Sequence, residues 1–278
     1  MSEQLITPEL RKWIVEQAAA GHSVEAVLDA MKVSGWAEDV ALQAMQEVMS
    51  SKAAAAHAAP GKRLPGLDPS GSPQVWAHDR HVKLLVQMQH PKVAVLGDFL
   101  SQDECVTLMA QAQPRLSRSQ TVVTATGDSE VNEARTSQGM FFGRGENELC
   151  QRIEARIAAL FDWPVENGEG IQVLRYTPGA EYKPHYDYFD PIQPGTPAIL
   201  KRGGQRVGTL VMYLNTPEAG GSTVFPDVGL GVQAIAGHAV FFAYGAPHPS
   251  TQTLHGGAPV LVGEKWVATK WMRESRFE

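Results

Sequence analysis

Near the middle of the chain a histidine and an aspartate stand two residues apart, in the run Tyr182-Lys-Pro-His185-Tyr-Asp187-Tyr. Side chains of an extended strand alternate between faces, so His185 and Asp187 project together and can offer an imidazole nitrogen and a carboxylate oxygen to one ion. One more ligand would complete a facial triad of two histidines and a carboxylate, a donor set that leaves coordination positions open for reactants. Three downstream histidines qualify: His238, His248 and His255. Taken alone, His-x-Asp is equally the pattern of a hydrogen-bonded surface pair.

An acidic reactant at such a metal needs a fixed cation for its far carboxylate, on a strand near the ion. His255 is followed ten residues later by Lys265, whereas ten residues after His238 stands His248 and ten after His248 stands Ala258. In the last strand pattern Lys265, Val267, Thr269 and Trp271 share one face, and Trp266, Ala268 and Lys270 the other. If the first set faces inward, Lys265 has mostly apolar company, which is unfavourable for an ammonium unless it meets an anion. Lys270 is then predicted to face outward. The alternative is that both lysines are solvated strand ends.

The elements that must hold these residues follow from periodicity and punctuation. Helices are predicted over 101–113, with Asp103 and Glu104 in the first turn, and over 146–161. From Ile171 onward the chain reads as short strands, at 171–176, 208–214, 239–244 and 265–272, divided by Gly- and Pro-rich turns. That rhythm predicts a β-sandwich or jelly roll. The segment 188–205 carries Pro191, Pro194, Gly195, Pro197, Gly203 and Gly204 beside the His-x-Asp pair, and its length suggests a mobile lid.

The first 50 residues read differently. Thr7 is placed to cap a helix with Pro8 at its first position and Leu10, Trp13, Ile14 and Ala18 along it, up to Gly21. Ser23 caps a second helix with Val27, Leu28 and Met31 on one face, closed by Gly35. A third carries Val40, Ala41, Ala44, Met45 and Val48. Helices this short can bury only one another, so 1–50 is predicted to be a three-helix bundle. Residues 51–73 hold 6 Ala, 4 Pro and 3 Gly with little that is large and apolar, so they are predicted to be a linker. The main domain is expected over 74–278.

Composition removes several classes of function. Charged residues make up 19% and the formal net charge is -6, with no basic stripe, so there is no nucleic-acid signal. No apolar run approaches the ~20 residues that a membrane-spanning helix needs. The start, Met1-Ser-Glu-Gln-Leu-Ile, lacks a basic region followed by an apolar one. Cys105 and Cys150 are too few to staple the chain, so reduced thiols and a cytoplasmic location are expected.

Further motifs run in order around this centre. They are Pro91-Lys-Val-Ala-Val-Leu-Gly-Asp-Phe-Leu-Ser-Gln-Asp-Glu-Cys105, Arg135-Thr-Ser137, Leu174-Arg-Tyr-Thr-Pro-Gly179 and His185-Tyr-Asp187. Gly203-Gly-Gln-Arg206, Met212-Tyr-Leu-Asn215, Gly220-Gly-Ser-Thr223-Val-Phe-Pro226, Leu254-His255-Gly-Gly-Ala-Pro259 and Gly263-Glu-Lys-Trp266 follow. Residues 82–273 thereby resemble the catalytic domain of the prolyl 4-hydroxylase branch of the Fe(II)/2-oxoglutarate-dependent dioxygenase superfamily. The resemblance implies an α+β fold, a double-stranded β-helix (jelly roll) with supporting helices, and an oxidoreductase. It implies His185, Asp187 and His255 as iron ligands, and Lys265 as the cation for the distal carboxylate of 2-oxoglutarate. Thr223 would be a hydroxyl partner and Tyr176 would reach the cosubstrate. Tyr182, Arg206 and Trp271 match positions near the substrate groove, against the alternatives of core packing for the aromatics and a surface ion pair for Arg206. Cofactors and cosubstrates implied are Fe(II), 2-oxoglutarate and O2, with ascorbate in support. The expected reaction is hydroxylation of a substrate C–H, first of all a prolyl residue in a peptide or protein substrate. Two alternatives stand beside it: a free amino acid or other small molecule, or a non-catalytic metal-binding scaffold. The N-terminal pattern, with Gly35-Trp36-Ala-Glu-Asp at a turn, resembles ubiquitin-associated-type helical bundles and could serve as a partner-binding module on a tether.

Overall fold

The computed structural model describes residues 6–7, 10, 13–14, 16–17, 22–57, 63–67, 72–118, 121–122, 129–130 and 136–278, and the chain divides into two compact units, Met1–Lys62 and Arg63–Glu278. In the first unit, α1 (Val24–Val33) is capped by Ser23, whose hydroxyl accepts from the Ala26 amide at 3.2 Å. It ends in a Schellman turn: Trp36 N–H bonds Met31 O, Gly35 N–H bonds Lys32 O, and Gly35 takes φ +87°. The Thr7 hydroxyl accepts from the Leu10 amide as a cap should. Leu10, Ile14, Val27, Met31, Ala41, Ala44, Met45 and Val48 form the core of this unit. Pro8, Ala18 and Gly21 lie outside the described residues. The next helix, α2 (Glu38–His57), runs into the stretch read as linker, where consecutive alanines favour helix. Residues 63–67 belong to the second unit, with Leu64 and Leu67 packed on its core.

The second unit is built from strands β1 (Gln74–Ala77), β2 (Arg80–Met88), β3 (Lys92–Gly97), β4 (Gln138–Phe142), β5 (Ile171–Tyr176), β6 (Tyr182–His185), β7 (Arg206–Tyr213), β8 (Thr223–Phe225), β9 (Leu230–Val232), β10 (Ala239–Ala243), β11 (His255–Gly257) and β12 (Lys265–Arg273). Among the described residues, one antiparallel sheet has the order β1-β2-β3-β10-β7-β12-β5-β4, with Ser117–Arg118 beyond β4, and a second has the order β9-β8-β11-β6. The two pack face to face through Leu174, Tyr176, Tyr213, Phe225, Phe242 and Val267, with Phe225 edge-on to Phe242. This is the expected jelly roll.

Helices α3 (Gln102–Ala112) and α4 (Glu148–Phe161) cover the opposite face of the large sheet. Ser101 and Glu104 close a capping box on α3, and Asn147 caps α4. Because both faces of the large sheet are covered, β12 is buried at every position. This corrects the expectation for Lys270. It does point away from Lys265, but it lands under α4 rather than in water, and its ammonium is paired with Glu154.

Candidate metal centre

Strand pairing brings the two outer parts of the triad together. Strands β11 and β6 are antiparallel with His255 directly opposite His185, and their rings lie 4.4 Å apart. Asp187, two residues past His185, puts Oδ1 at 3.5 Å from His185 Nε2 and Oδ2 at 3.6 Å from His255 Nε2. The three donor groups lie within 4.8 Å of one another. In each ring Nδ1 contacts a carbonyl, Lys183 O at 2.9 Å and Thr253 O at 3.0 Å. A carbonyl only accepts, so each Nδ1 carries a hydrogen, and Nε2 is the ring atom left on the aspartate side to meet an ion. The donor set fits a divalent first-row metal. His238 and His248 stand apart from it: His248 Nδ1 is engaged by Ser250, and His238 carries the backbone carbonyl that Tyr213 N–H binds.

Burial sets the charge states. Desolvation, with help from the His185 ring, pushes His255 down to about 4, so the imidazole is neutral as a ligand must be. Burial alone would raise the Asp187 carboxyl; the His255 and His185 rings in their cationic form, with the Arg206 guanidinium, overcome it and hold the group below its ordinary value. One oxygen of Asp187 also accepts from Thr209 Oγ1 at 2.7 Å.

Beside the triad, β12 and β5 pair so that Lys265 lies opposite Tyr176, and β8 and β11 pair so that Thr223 lies opposite Gly257. All of these line one cavity together with His185, Asp187, His255, Tyr182 and Trp271. Lys265 is 4% exposed, and its ammonium lies 5.6 Å from the Tyr176 ring and 5.9 Å from the Tyr213 ring. It makes no hydrogen bond or ion pair with any described residue, and burial lowers it to about 8. Thr223 Oγ1 accepts from the Tyr213 hydroxyl at 2.8 Å, which leaves its own hydrogen free to donate.

The region just described matches known proteins throughout. Residues 171–273 fit the model of the 2OG-Fe(II) oxygenase superfamily. Prolyl 4-hydroxylase 1 of Arabidopsis thaliana is 44% identical over 224 residues, 72% of this chain and 77% of the relative. Prolyl 4-hydroxylase 5 of the same plant is 39% identical over 210 residues, 68% of this chain and 70% of the relative. The chain belongs to the prolyl 4-hydroxylase branch of that superfamily. Among solved structures, the viral collagen prolyl hydroxylase of Paramecium Bursaria Chlorella virus-1, in complex with 2OG, superimposes with a TM-score of 0.50 at 30% identity, over 65% of this chain and 95% of that one.

In this oxygenase the three expected groove residues take different places. The Tyr182 ring stacks on His185 at 3.7 Å. Trp271 lines the cavity, and its buried indole N–H has no acceptor among the described residues. Arg206 makes neither a surface ion pair nor an open contact. Its Nε and Nη2 clasp Glu169 at 2.7 and 2.9 Å, Nη1 reaches Asp187 O at 3.4 Å, and its plane covers the Trp271 ring at 4.0 Å. Arg273 binds the same Glu169, so one buried carboxylate holds two cations. The segment 188–205 is tied at both ends, because the Gln205 amide brackets the Phe189 backbone with two bonds of 2.8 Å. Sequence reasoning missed Thr209, Tyr244 and Glu169. The available signal was a lone threonine on the inward face of an otherwise apolar β7.

Proposed function

We propose that the chain hydroxylates prolyl residues in a peptide or protein, holding Fe(II) with His185, Asp187 and His255 and the distal carboxylate of 2-oxoglutarate with Lys265. One observation carries this reading: a buried ammonium without a carboxylate partner among the described residues lines the same cavity as a convergent His–Asp–His cluster. A lysine in that position is stabilised only when an anion arrives, and a diacid long enough to reach the cluster supplies one. Thr223, with a hydroxyl hydrogen to spare, and the Tyr176 phenol are the neighbouring donors. When bound, the metal supplies the open positions at which the keto acid and O2 react. The chain keeps the His255 imidazole neutral and the Asp187 carboxylate ionised, and it walls the cavity with apolar side chains.

The prolyl substrate is supported by the aromatic lining of the site. Tyr182 and Trp271 border the cavity, and Phe141, 49% exposed, lies 6.4 Å from Trp271. Flat aromatic faces of this kind receive pyrrolidine rings and extended proline-rich chains. Ascorbate serves to keep the iron ferrous. A cytoplasmic setting accords with Cys105 and Cys150, both buried and unbridged. Within the N-terminal unit, the exposed face of the helices is assigned to substrate recruitment.

The test is to incubate the protein with proline-rich peptides, Fe(II), ascorbate and 2-oxoglutarate, and to follow succinate and peptide mass. One added oxygen on proline, lost on omission of iron or in Asp187→Ala, is the expected result. Succinate without peptide oxidation across the peptide set overturns the prolyl assignment. The absence of iron-dependent succinate overturns the site.

A further inference from the structure

Against Asp187, outside the cavity lining, stand two hydroxyls that the proposed function leaves without a role. Thr209 Oγ1 lies 2.7 Å from Asp187 Oδ2 and 2.9 Å from the Tyr244 hydroxyl. Thr209 is 0% exposed, Tyr244 2% and Asp187 8%. A threonine has one hydroxyl hydrogen, and an ionised carboxylate can only accept, so Thr209 donates to Asp187. Its hydrogen is thereby used, and Tyr244 must be the donor to Thr209. The direction of both bonds is fixed: Tyr244 O–H to Thr209 Oγ1, Thr209 O–H to Asp187 Oδ2.

Two elements set this geometry. Thr209 lies on β7 opposite Phe242 of β10, and Tyr244 follows two residues after Phe242, so the register of one strand pair places both hydroxyls. Tyr244 is itself held edge-on by Tyr188 at 5.9 Å. In a buried site, hydrogen bonds in series polarise one another, and the bond to the charged end is the strongest.

We propose that Thr209 and Tyr244 are positioning residues for the metal, a two-hydroxyl relay that fixes the orientation of the Asp187 carboxylate and holds one of its oxygens back from the ion. A carboxylate free to turn can present one oxygen or both. An oxygen that already accepts a short bond is a poorer donor, so the aspartate acts through a single oxygen and positions remain open for the keto acid and O2. This inference rests on the assignment of Asp187 as a ligand.

The test measures Mn(II) binding to the full chain without O2, by titration calorimetry, with the electron paramagnetic resonance spectrum of the bound ion as a second readout. Removing such an outer-sphere partner typically weakens metal binding about 10–100-fold. Thr209→Val should lose affinity on that scale and alter the Mn(II) spectrum, Thr209→Ser should restore both, and Tyr244→Phe, which keeps the Thr209 bond, should fall between. Thermal midpoints of the metal-free proteins separate positioning from packing. Tyr244→Phe also serves if Thr209→Val does not fold. Wild-type protein that fails to bind Mn(II) overturns the ligand assignment itself. Wild-type binding with unchanged affinity and spectrum in Thr209→Val, or in Tyr244→Phe where the valine variant does not fold, overturns the relay and leaves the triad standing.

Discussion

Replacing Lys265 by methionine should make the protein more stable and remove its grip on the cosubstrate in one step. Methionine fills nearly the same volume and has no charge to desolvate. In the free protein burial lowers the ammonium from an ordinary 10.5 to about 8, which corresponds to roughly 3–4 kcal/mol at about 1.4 kcal/mol per pH unit. The sign follows from proton binding. Between pH 8 and 10.5 the unfolded chain holds this proton and the folded chain does not, so stability rises with pH across that window, and the full penalty is present below it. At pH 7 Lys265→Met removes the penalty, and the metal-free midpoint should rise by several degrees, at roughly 2–4 °C per kcal/mol for a domain of this size. Binding moves in the opposite direction. A 2-oxoglutarate carboxylate left buried without its cation loses about 3–5 kcal/mol, or roughly two to three and a half powers of ten in affinity. Differential scanning calorimetry of the metal-free protein and anaerobic titration of 2-oxoglutarate into the Mn(II) form measure the two halves. A variant that melts lower than wild type at pH 7, or binds 2-oxoglutarate within a factor of a few of wild type, would refute the reasoning.

Other perturbations test the frame around the site. Glu169→Gln leaves Arg206 and Arg273 buried with no anion between them, and should lower stability by about 3–5 kcal/mol in urea unfolding. Lys270→Met alone strands Glu154 and should cost a similar amount, whereas Lys270→Met with Glu154→Leu should fall close to wild type in the same assay. Ser101→Ala opens the capping box of α3 and should cost about 1 kcal/mol. Deleting residues 1–60 should raise KM for a protein substrate while leaving turnover of a short peptide unchanged; equal KM for both enzymes would remove recruitment as the role of the bundle.

The candidate His–Asp–His cluster was legible because strand alternation is local: His185 and Asp187 need only two residues of extended chain to share a face, and His255 is tied to Lys265 by a short spacing. The strands over 171–176 and 239–244 were equally plain, being short runs rich in β-branched and aromatic residues between glycines and prolines. Partners distant in sequence were not legible. Arg206 meets Glu169 37 residues away and Lys270 meets Glu154 116 residues away, and no local pattern announces either pair. The predicted exposure of Lys270 failed for a related reason. Alternation says which residues oppose Lys265, but only the placement of α3 and α4 says that the opposite face is buried too.

The two lysines of β12 therefore carry an argument that neither carries alone. They are five residues apart on one strand, 4% and 2% exposed, on opposite faces of the same sheet. Lys270 ends on Glu154, as Arg156 ends on Asp79 and Glu104, and as Arg206 and Arg273 end on Glu169. Each buried cation of the scaffold thus has an internal carboxylate, which is what folding stability requires of a charge taken out of water. Among the described residues Lys265 breaks that pattern, at the wall of the cavity that also holds the His185–Asp187–His255 cluster. A charge that weakens the fold can be kept only by what it does for a bound molecule. On the proposed function, the missing carboxylate is the far end of a 2-oxoglutarate whose near end would sit at the metal.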